Sequence, residues 1–198
     1  METDSELLNA ARRMDKTVLV KIFDQYSSAL YNYALRLCGD PSRADHIVGD
    51  VFAKLLEQLS EGDGPQSNLR SYLFQMVYHQ IVDEARSARH WAPLDVADFL
   101  GKDAHSNSLS VEDQLLFKQI IEVMRKELTD DQRHVIFLRF LEEFSLAETA
   151  IIMGKTIENI KVLQNRALVK LRRALERQEI QKVTSSPRIP SFPKVLRI

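Results

Sequence analysis

Residues 144–173, FSLAETAIIMGKTIENIKVLQNRALVKLRR, admit few folds, because they set a helix start, a stop and a restart within 30 residues. Ser145 stands where a side-chain oxygen accepts from a free backbone N–H, and Glu148 three residues on completes a capping box. The helix is expected to end near Met153. Gly154 then supplies the positive φ of a tight turn, and Thr156 is the candidate cap of the next helix. Ala150 falls where two steeply crossed helices must approach closely, and Ile160 points back into the pair, with Met153 and Leu163 extending the seam. The pattern is that of a helix-turn-helix.

The second helix of that unit sends Glu158, Asn159, Lys161, Val162, Asn165 and Arg166 outward, with Lys155, Lys170, Arg172 and Arg173 around them. From 155 to 177 there are seven bases and two acids. A solvated hairpin with a lysine and arginine face is the plainer reading, and charge alone does not separate the two. The spacing of Ala150, Gly154 and Ile160, with capping residues at both helix starts, favours a helix that faces DNA.

Charge elsewhere is segregated. The whole chain of 198 residues carries a net charge of −1, divided as −3 over 1–92, −2 over 93–110, +1 over 111–178 and +3 over 179–198. So small a positive field predicts weak binding to duplex DNA by the protein alone, since phosphate neutralisation supplies most non-specific affinity. A larger partner is expected to hold it there. No apolar run reaches the roughly 20 residues of a membrane span, and METDSE lacks the basic start of a signal peptide, so a cytoplasmic protein without membrane insertion is expected. The single cysteine, Cys38, excludes an intramolecular disulfide and is expected to be a buried, inert thiol.

Upstream, a short amphipathic helix over 4–14 precedes a long one from Lys16, with Leu19, Ile22, Phe23, Tyr26, Leu30, Tyr33, Ala34 and Leu37 on one face. Gly39, Asp40 and Pro41 stop it. A second long helix over 42–59 turns Ala44, Ile47, Val48, Val51, Phe52, Leu55, Leu56 and Leu59 inward, and Gly49 within it costs up to about 1 kcal/mol relative to Ala, which is tolerated if a neighbour packs closely against it. Residues 61–68 form a loop, and a third helix over 69–89 places Leu69, Leu73, Val77 and Ile81 inside, with Tyr72 and Phe74 as further core. Composition then changes over 91–110, where Pro93, Gly101 and a Ser/Asn cluster mark a linker. Helices resume at Val111 and again at Thr129. Three prolines after 186 point to an extended or disordered arm.

The five histidines are scattered, and no metal-ligand spacing, nucleophile elbow or glycine-rich phosphate loop occurs. Neither an enzyme nor a metal, cofactor or small-molecule substrate is expected.

Taken together, these motifs resemble the extracytoplasmic-function (ECF) sigma factors of the sigma-70 family. IFDQYSSALYNYALRLCGDPSRADHIVGDVFAKLL is similar to the start of sigma region 2, NLRSYLFQMVYHQIVDEAR to its third helix, and LTDDQRHVIFLRFLEEFSLAETAIIMGKTIENIKVLQNRALVKLRRAL to region 4 nearly end to end. The resemblance covers roughly residues 4–178. It implies an all-α chain of two small helical domains joined by a flexible linker: region 2 over 1–92, linker 93–110, region 4 over 111–178, and a basic tail over 179–198.

The resemblance also implies roles. Asp45, Val48, Asp50 and Phe52 would dock on the clamp helices of core RNA polymerase, and region 4 would hold its flap. Asn68, Arg70, Gln75, Tyr78, His79, Gln80 and Arg86 would meet the single-stranded minus-ten element of promoter DNA, where unstacked bases need stacking surfaces and polar pockets. Lys155, Glu158, Asn159, Lys161, Val162, Asn165, Arg166, Lys170 and Arg173 would serve the minus-thirty-five element, Asn and Arg pairing with base edges in the major groove. An anti-sigma factor is expected to hold the two domains when the protein is idle. The family usually carries Asn at the position of His79, Gln at that of Gly49, and often Ser-Arg-Leu at 162–164. The competing reading is a dimeric helix-turn-helix regulator that binds duplex operators without joining polymerase; it requires specific duplex binding by the protein alone.

Overall fold

Aspartates set the starts of the first long helices. The Asp15 carboxylate accepts from the N–H groups of Thr17 and Val18 at 2.9 and 3.4 Å, and Asp40 does the same for Ser42 and Arg43 at 2.9 and 3.2 Å. Each satisfies donors that the first helical turn leaves without an internal partner. The computed structural model describes residues 4–87 and 111–185, with side chains described over 7–84 and 119–177. Among these residues every regular element is helical: α1 (Asp4–Arg12), α2 (Lys16–Cys38), α3 (Pro41–Ser60), α4 (Leu69–Ser87), α5 (Val111–Glu127), α6 (Asp130–Ile136), α7 (Leu146–Met153) and α8 (Ile157–Ser185).

Helices α1 to α4 form one body. Helix α2 packs along α3 and α4, and Leu30, Tyr33, Leu55, Leu73, Phe74 and Val77 are almost fully enclosed between them. Side chains of this size contribute about 1.5–3 kcal/mol each on burial, so the three-helix seam holds the body together. Gly39 ends α2 at φ 72°, and its N–H reaches the Leu35 carbonyl at 2.8 Å. Cys38 is buried there, and burial pushes its thiol pKa up, which keeps it protonated and inert as expected.

The second body comprises α5 to α8. Thr129 and Gln132 form a capping box at the start of α6, which passes into a single π-helical turn, Phe137–Leu141. There the Glu142 N–H reaches back to the Phe137 carbonyl at 3.0 Å, and Glu143 follows at φ 56°. The wider turn inserts one extra residue into the helical register and so re-aims what comes after it. Helix α8 lies across α5, α6 and α7.

Several expectations are corrected. Phe23 and Leu56 are exposed rather than inward; Phe23 meets the half-buried Phe52 at 4.8 Å between ring centroids on the outer edge of α2 and α3. On α2, Ile22 and Tyr26 take the core as expected, while Phe23, at the edge of the stripe, does not. No neighbour presses on Gly49: a Cβ there would meet nothing within 4 Å. Helix α8 continues to Ser185, past the expected boundary at 178, because the first helix-breaking residue of the tail is Pro187. The expected linker, 93–110, and the prolines of the tail lie outside the described residues.

Candidate nucleic-acid interface

The helix-turn-helix is built as its sequence implies. Ser145 Oγ accepts from the Glu148 N–H at 3.2 Å while a Glu148 carboxylate oxygen accepts from the Ser145 N–H at 2.8 Å. These bonds hold the Glu148 carboxyl below its usual pKa range. Gly154 sits at φ 60°, and Thr156 Oγ1 accepts from the Asn159 N–H at 3.2 Å to start α8. Ala150, Met153, Ile160 and Ala167 are buried in the crossing, which fixes the opposite face of α8 outward.

That outward face carries Glu158, Asn159, Lys161, Val162, Asn165 and Arg166, all exposed. Val162 is 46% exposed in the middle of the polar set, where an apolar side chain suits contact with a thymine methyl. The neighbouring Gln164 is only half-exposed, and its side-chain oxygen accepts from Arg139 Nε at 3.1 Å, so it braces the helix on the π-helical turn. Three flanking bases have different surroundings. Lys155 pairs with Asp131 at 3.1 Å, and Lys170 Nζ donates to the Glu127 carbonyl at 2.9 Å and to Gln132 at 3.2 Å, an internal engagement that ties α8 to α5 and α6. Arg173 is exposed.

In the first body, Asn68 opens α4 at φ 53°, a conformation Asn tolerates better than most residues, and is exposed, as is His79. Gln80 donates to Asp50 at 2.9 Å and lies near Glu84. The side chain of Arg86 is outside the described residues. Asp45 and Asp50 are exposed on α3, with His46 3.3 Å from Asp50. Val48, expected both on the buried stripe of α3 and as a docking residue, is 7% exposed and turned into the core.

Arg70, Gln75 and Tyr78 lie where the two bodies meet. Arg70 donates to the Glu142 carbonyl at 2.6 Å, and its guanidinium stands 4.0 Å from the centre of the Phe144 ring. Gln75 donates to the Ile151 carbonyl at 3.3 Å. Tyr78 is 6% exposed and packs against the edge of His134 at 4.7 Å between centroids. Deeper in the contact, Tyr33 Oη and His134 Nδ1 share a 2.7 Å hydrogen bond, Phe74 meets Phe144 at 4.9 Å, and Arg36 pairs with Glu142 at 3.2 Å. Burial raises the Tyr33 pKa and lowers that of His134 to about 3, with Arg133 and Lys155 adding to the latter by repulsion. Both groups are therefore neutral at this seam. Sequence reasoning singled out neither Arg36, His134 nor Glu142 as functional, and no local signal marks them, because Arg36 meets Glu142 and Tyr33 meets His134 across more than 100 positions.

The geometry defines the class: a helix-turn-helix protein whose reading helix is exposed, joined to a second helical body with an aromatic and polar α4 face. The chain belongs to the sigma-70 family: the Sigma-70 region 2 model matches residues 22–90 and the Sigma-70, region 4 model matches 126–173, in that order. Among curated relatives, ECF RNA polymerase sigma factor BldN of Streptomyces coelicolor is 28% identical over 174 residues, which span 86% of this chain and 65% of BldN. ECF RNA polymerase sigma factor SigL of Mycobacterium tuberculosis is 24% identical over 169 residues, 85% of this chain and 95% of SigL. Among solved structures, CnrH in complex with the cytosolic domain of CnrY has a TM-score of 0.65 at 20% identity, covering 88% of this chain and 97% of CnrH. The sigma factor RpoE in complex with the anti-sigma factor NepR from Bartonella quintana has a TM-score of 0.56 at 24% identity, covering 79% and 95%.

Proposed function

We propose that this chain directs promoter-specific transcription initiation as an ECF-type subunit of RNA polymerase. Region 4 reads the minus-thirty-five element through Glu158, Asn159, Lys161, Val162, Asn165 and Arg166. Region 2 binds the melted minus-ten strand along α4 and the loop before it, and docks on core polymerase through Asp45, Asp50 and the Phe52 edge of α3. The observation that carries this reading is the exposed polar face of α8, fixed outward by Ala150, Ile160 and Ala167, in a chain that also holds the region 2 body. A near-neutral net charge supports dependence on polymerase for stable DNA binding.

The protein works without catalytic chemistry of its own: it positions polymerase, which makes RNA. No helix among the described residues is long and apolar enough to cross a membrane. Together with the task of binding polymerase, this supports a cytoplasmic location. An anti-sigma factor restrains the protein, a reading supported by the NepR partner of the RpoE relative.

The test is transcription by core polymerase on a pooled genomic template, with and without this protein. New start sites that share two upstream elements at a fixed separation are expected. Start sites unchanged by the protein, together with tight operator binding in the absence of polymerase, would favour the dimeric regulator instead.

A further inference from the structure

We propose that Arg12, on the first helix, is a positioning residue for promoter selectivity: by holding the Pro65 carbonyl it shapes the loop over 61–68 that meets the minus-ten strand. The proposal rests on the reading of that loop as part of the minus-ten surface.

The loop has the composition of a base reader. Its sequence, EGDGPQSN, contains two acids and no basic residue, so it does not hold a strand by its phosphates. It presents instead the amides of Gln66 and Asn68 and the hydroxyl of Ser67, all exposed, which can pair with the edges of an unstacked base. Such bonds weaken steeply when misaligned. Their power to discriminate between bases therefore depends on the path of the backbone that carries them.

Part of that path is set within the loop and at its ends. Gly62, Gly64 and Asn68 take φ of 81°, 125° and 53°, and Tyr72 Oη donates to Gln58 Oε1 at 2.7 Å, which ties the end of α3 to the start of α4. The middle is held from α1. Arg12 Nη2 donates to the Pro65 carbonyl at 2.7 Å across 53 positions of sequence, while Nη1 donates to Asn9 Oδ1 at 3.3 Å and so orients the guanidinium. Because the peptide unit is planar, fixing the carbonyl of the buried Pro65 fixes the direction in which the chain leaves toward Gln66. The support is firm, since Leu8 and Ala11 of α1 are enclosed against α2 and α3.

The guanidinium is aimed rather than merely accommodated. Arg12 Nε is buried with no acceptor among the described residues. An unmet buried donor lowers stability, so Arg12 is placed for what its far end holds and not for the strength it adds to the fold. A loop shaped in advance can bind a base without first losing conformational freedom.

The experiment uses the full chain with core polymerase on a promoter library randomised in the minus-ten and minus-thirty-five elements. Arg12→Ala is expected to flatten the preference at one or more minus-ten positions by about fivefold or more, the discrimination that one good polar pair supplies, and to leave the minus-thirty-five preferences as they are. Arg13→Ala, which removes the exposed charge one residue on, is expected to change neither. In parallel, a nitroxide on Ser67→Cys reports the loop in the free chain, where the native Cys38 is buried; its motion is expected to quicken once Arg12 is replaced. If Arg12→Ala does not fold, Arg12→Gln, whose shorter side chain falls short of Pro65, carries both readouts. A uniform loss of output with the ranking of minus-ten sequences unchanged would reduce Arg12 to a stabilising residue and overturn the proposal, as would an unaltered nitroxide spectrum. An unaltered chain that directs no promoter-specific initiation fails the function reading and the proposal together; an active unaltered chain whose minus-ten profile survives the loss of Arg12 fails the proposal alone.

Discussion

Glu142 and Arg36 lie 106 positions apart in the chain, and their charged groups meet at 3.2 Å with both side chains buried. The pair joins region 2 to region 4 through a contact that neither body provides alone.

Removing one member weakens a buried network in which the Glu142 carboxylate also lies 3.6 Å from Arg70. Arg36→Ala or Glu142→Ala is expected to destabilise the chain by about 1–3 kcal/mol in urea unfolding, whereas the double change Arg36→Met/Glu142→Leu costs less. Equal losses in the single and double variants would show that packing, not charge, dominates.

Acid weakens the same seam. The folded His134 pKa of about 3 lies below the ordinary 6.5, so the unfolded chain binds the extra proton first. The stability that neutral His134 contributes is complete above about pH 6.5 and is lost as pH falls towards 3, with a slope of up to about 1.4 kcal/mol per pH unit. Glu148, also lowered, acts in the same direction below its ordinary 4.5. Denaturant midpoints measured from pH 7.5 to 4.5 are expected to fall steadily, and His134→Gln, which keeps a polar group beside Tyr33, is expected to flatten the curve.

The helix-turn-helix depends on its local caps. Ser145→Ala removes one half of the capping box and is expected to cost about 1 kcal/mol. Gly154→Ala places a side chain at φ 60° and is expected to cost about 1–2 kcal/mol. Thermal melts of the two variants check both values, and open space around Gly154 leaves the backbone as the sole cause.

On the DNA side, Arg173→Ala, at an exposed base flanking the reading face, is expected to weaken the polymerase-bound complex about equally on all promoter sequences and to lower its salt slope by about one. Asn165→Ala is expected to cost about 1–3 kcal/mol on the cognate upstream element and little on others. Lys170→Ala is expected to act differently, lowering thermal stability, since its ammonium ties α8 to Glu127 and Gln132. Titrations of promoter DNA across salt concentrations separate these behaviours.

Much of this architecture was legible wherever a signal is local. Ser145 with Glu148, Gly154 and Thr156 act on backbone groups a few residues away, so their roles follow from spacing alone. The apolar stripes of α2 and α3 gave the seam, but a stripe broader than the contact does not say which edge stays outside, and Phe23 and Leu56 fell on that edge. The contact between the two bodies was not legible. Tyr33 with His134 and Arg36 with Glu142 obey no period and meet only after both bodies have folded. The π-helical turn that aims Glu142 leaves no mark in the helical repeat.

The division of labour between the two bodies is tested most directly by tethered DNA cleavage within the polymerase complex, using iron chelates attached at Asn165→Cys and, separately, at His79→Cys. The chelate on α8 should cut duplex DNA upstream, and the chelate on α4 should cut only the melted strand nearer the start site, at a fixed distance from the first cut. Cleavage of a single shared site by both chelates, or cleavage by the α4 chelate in duplex DNA alone, would contradict the assignment.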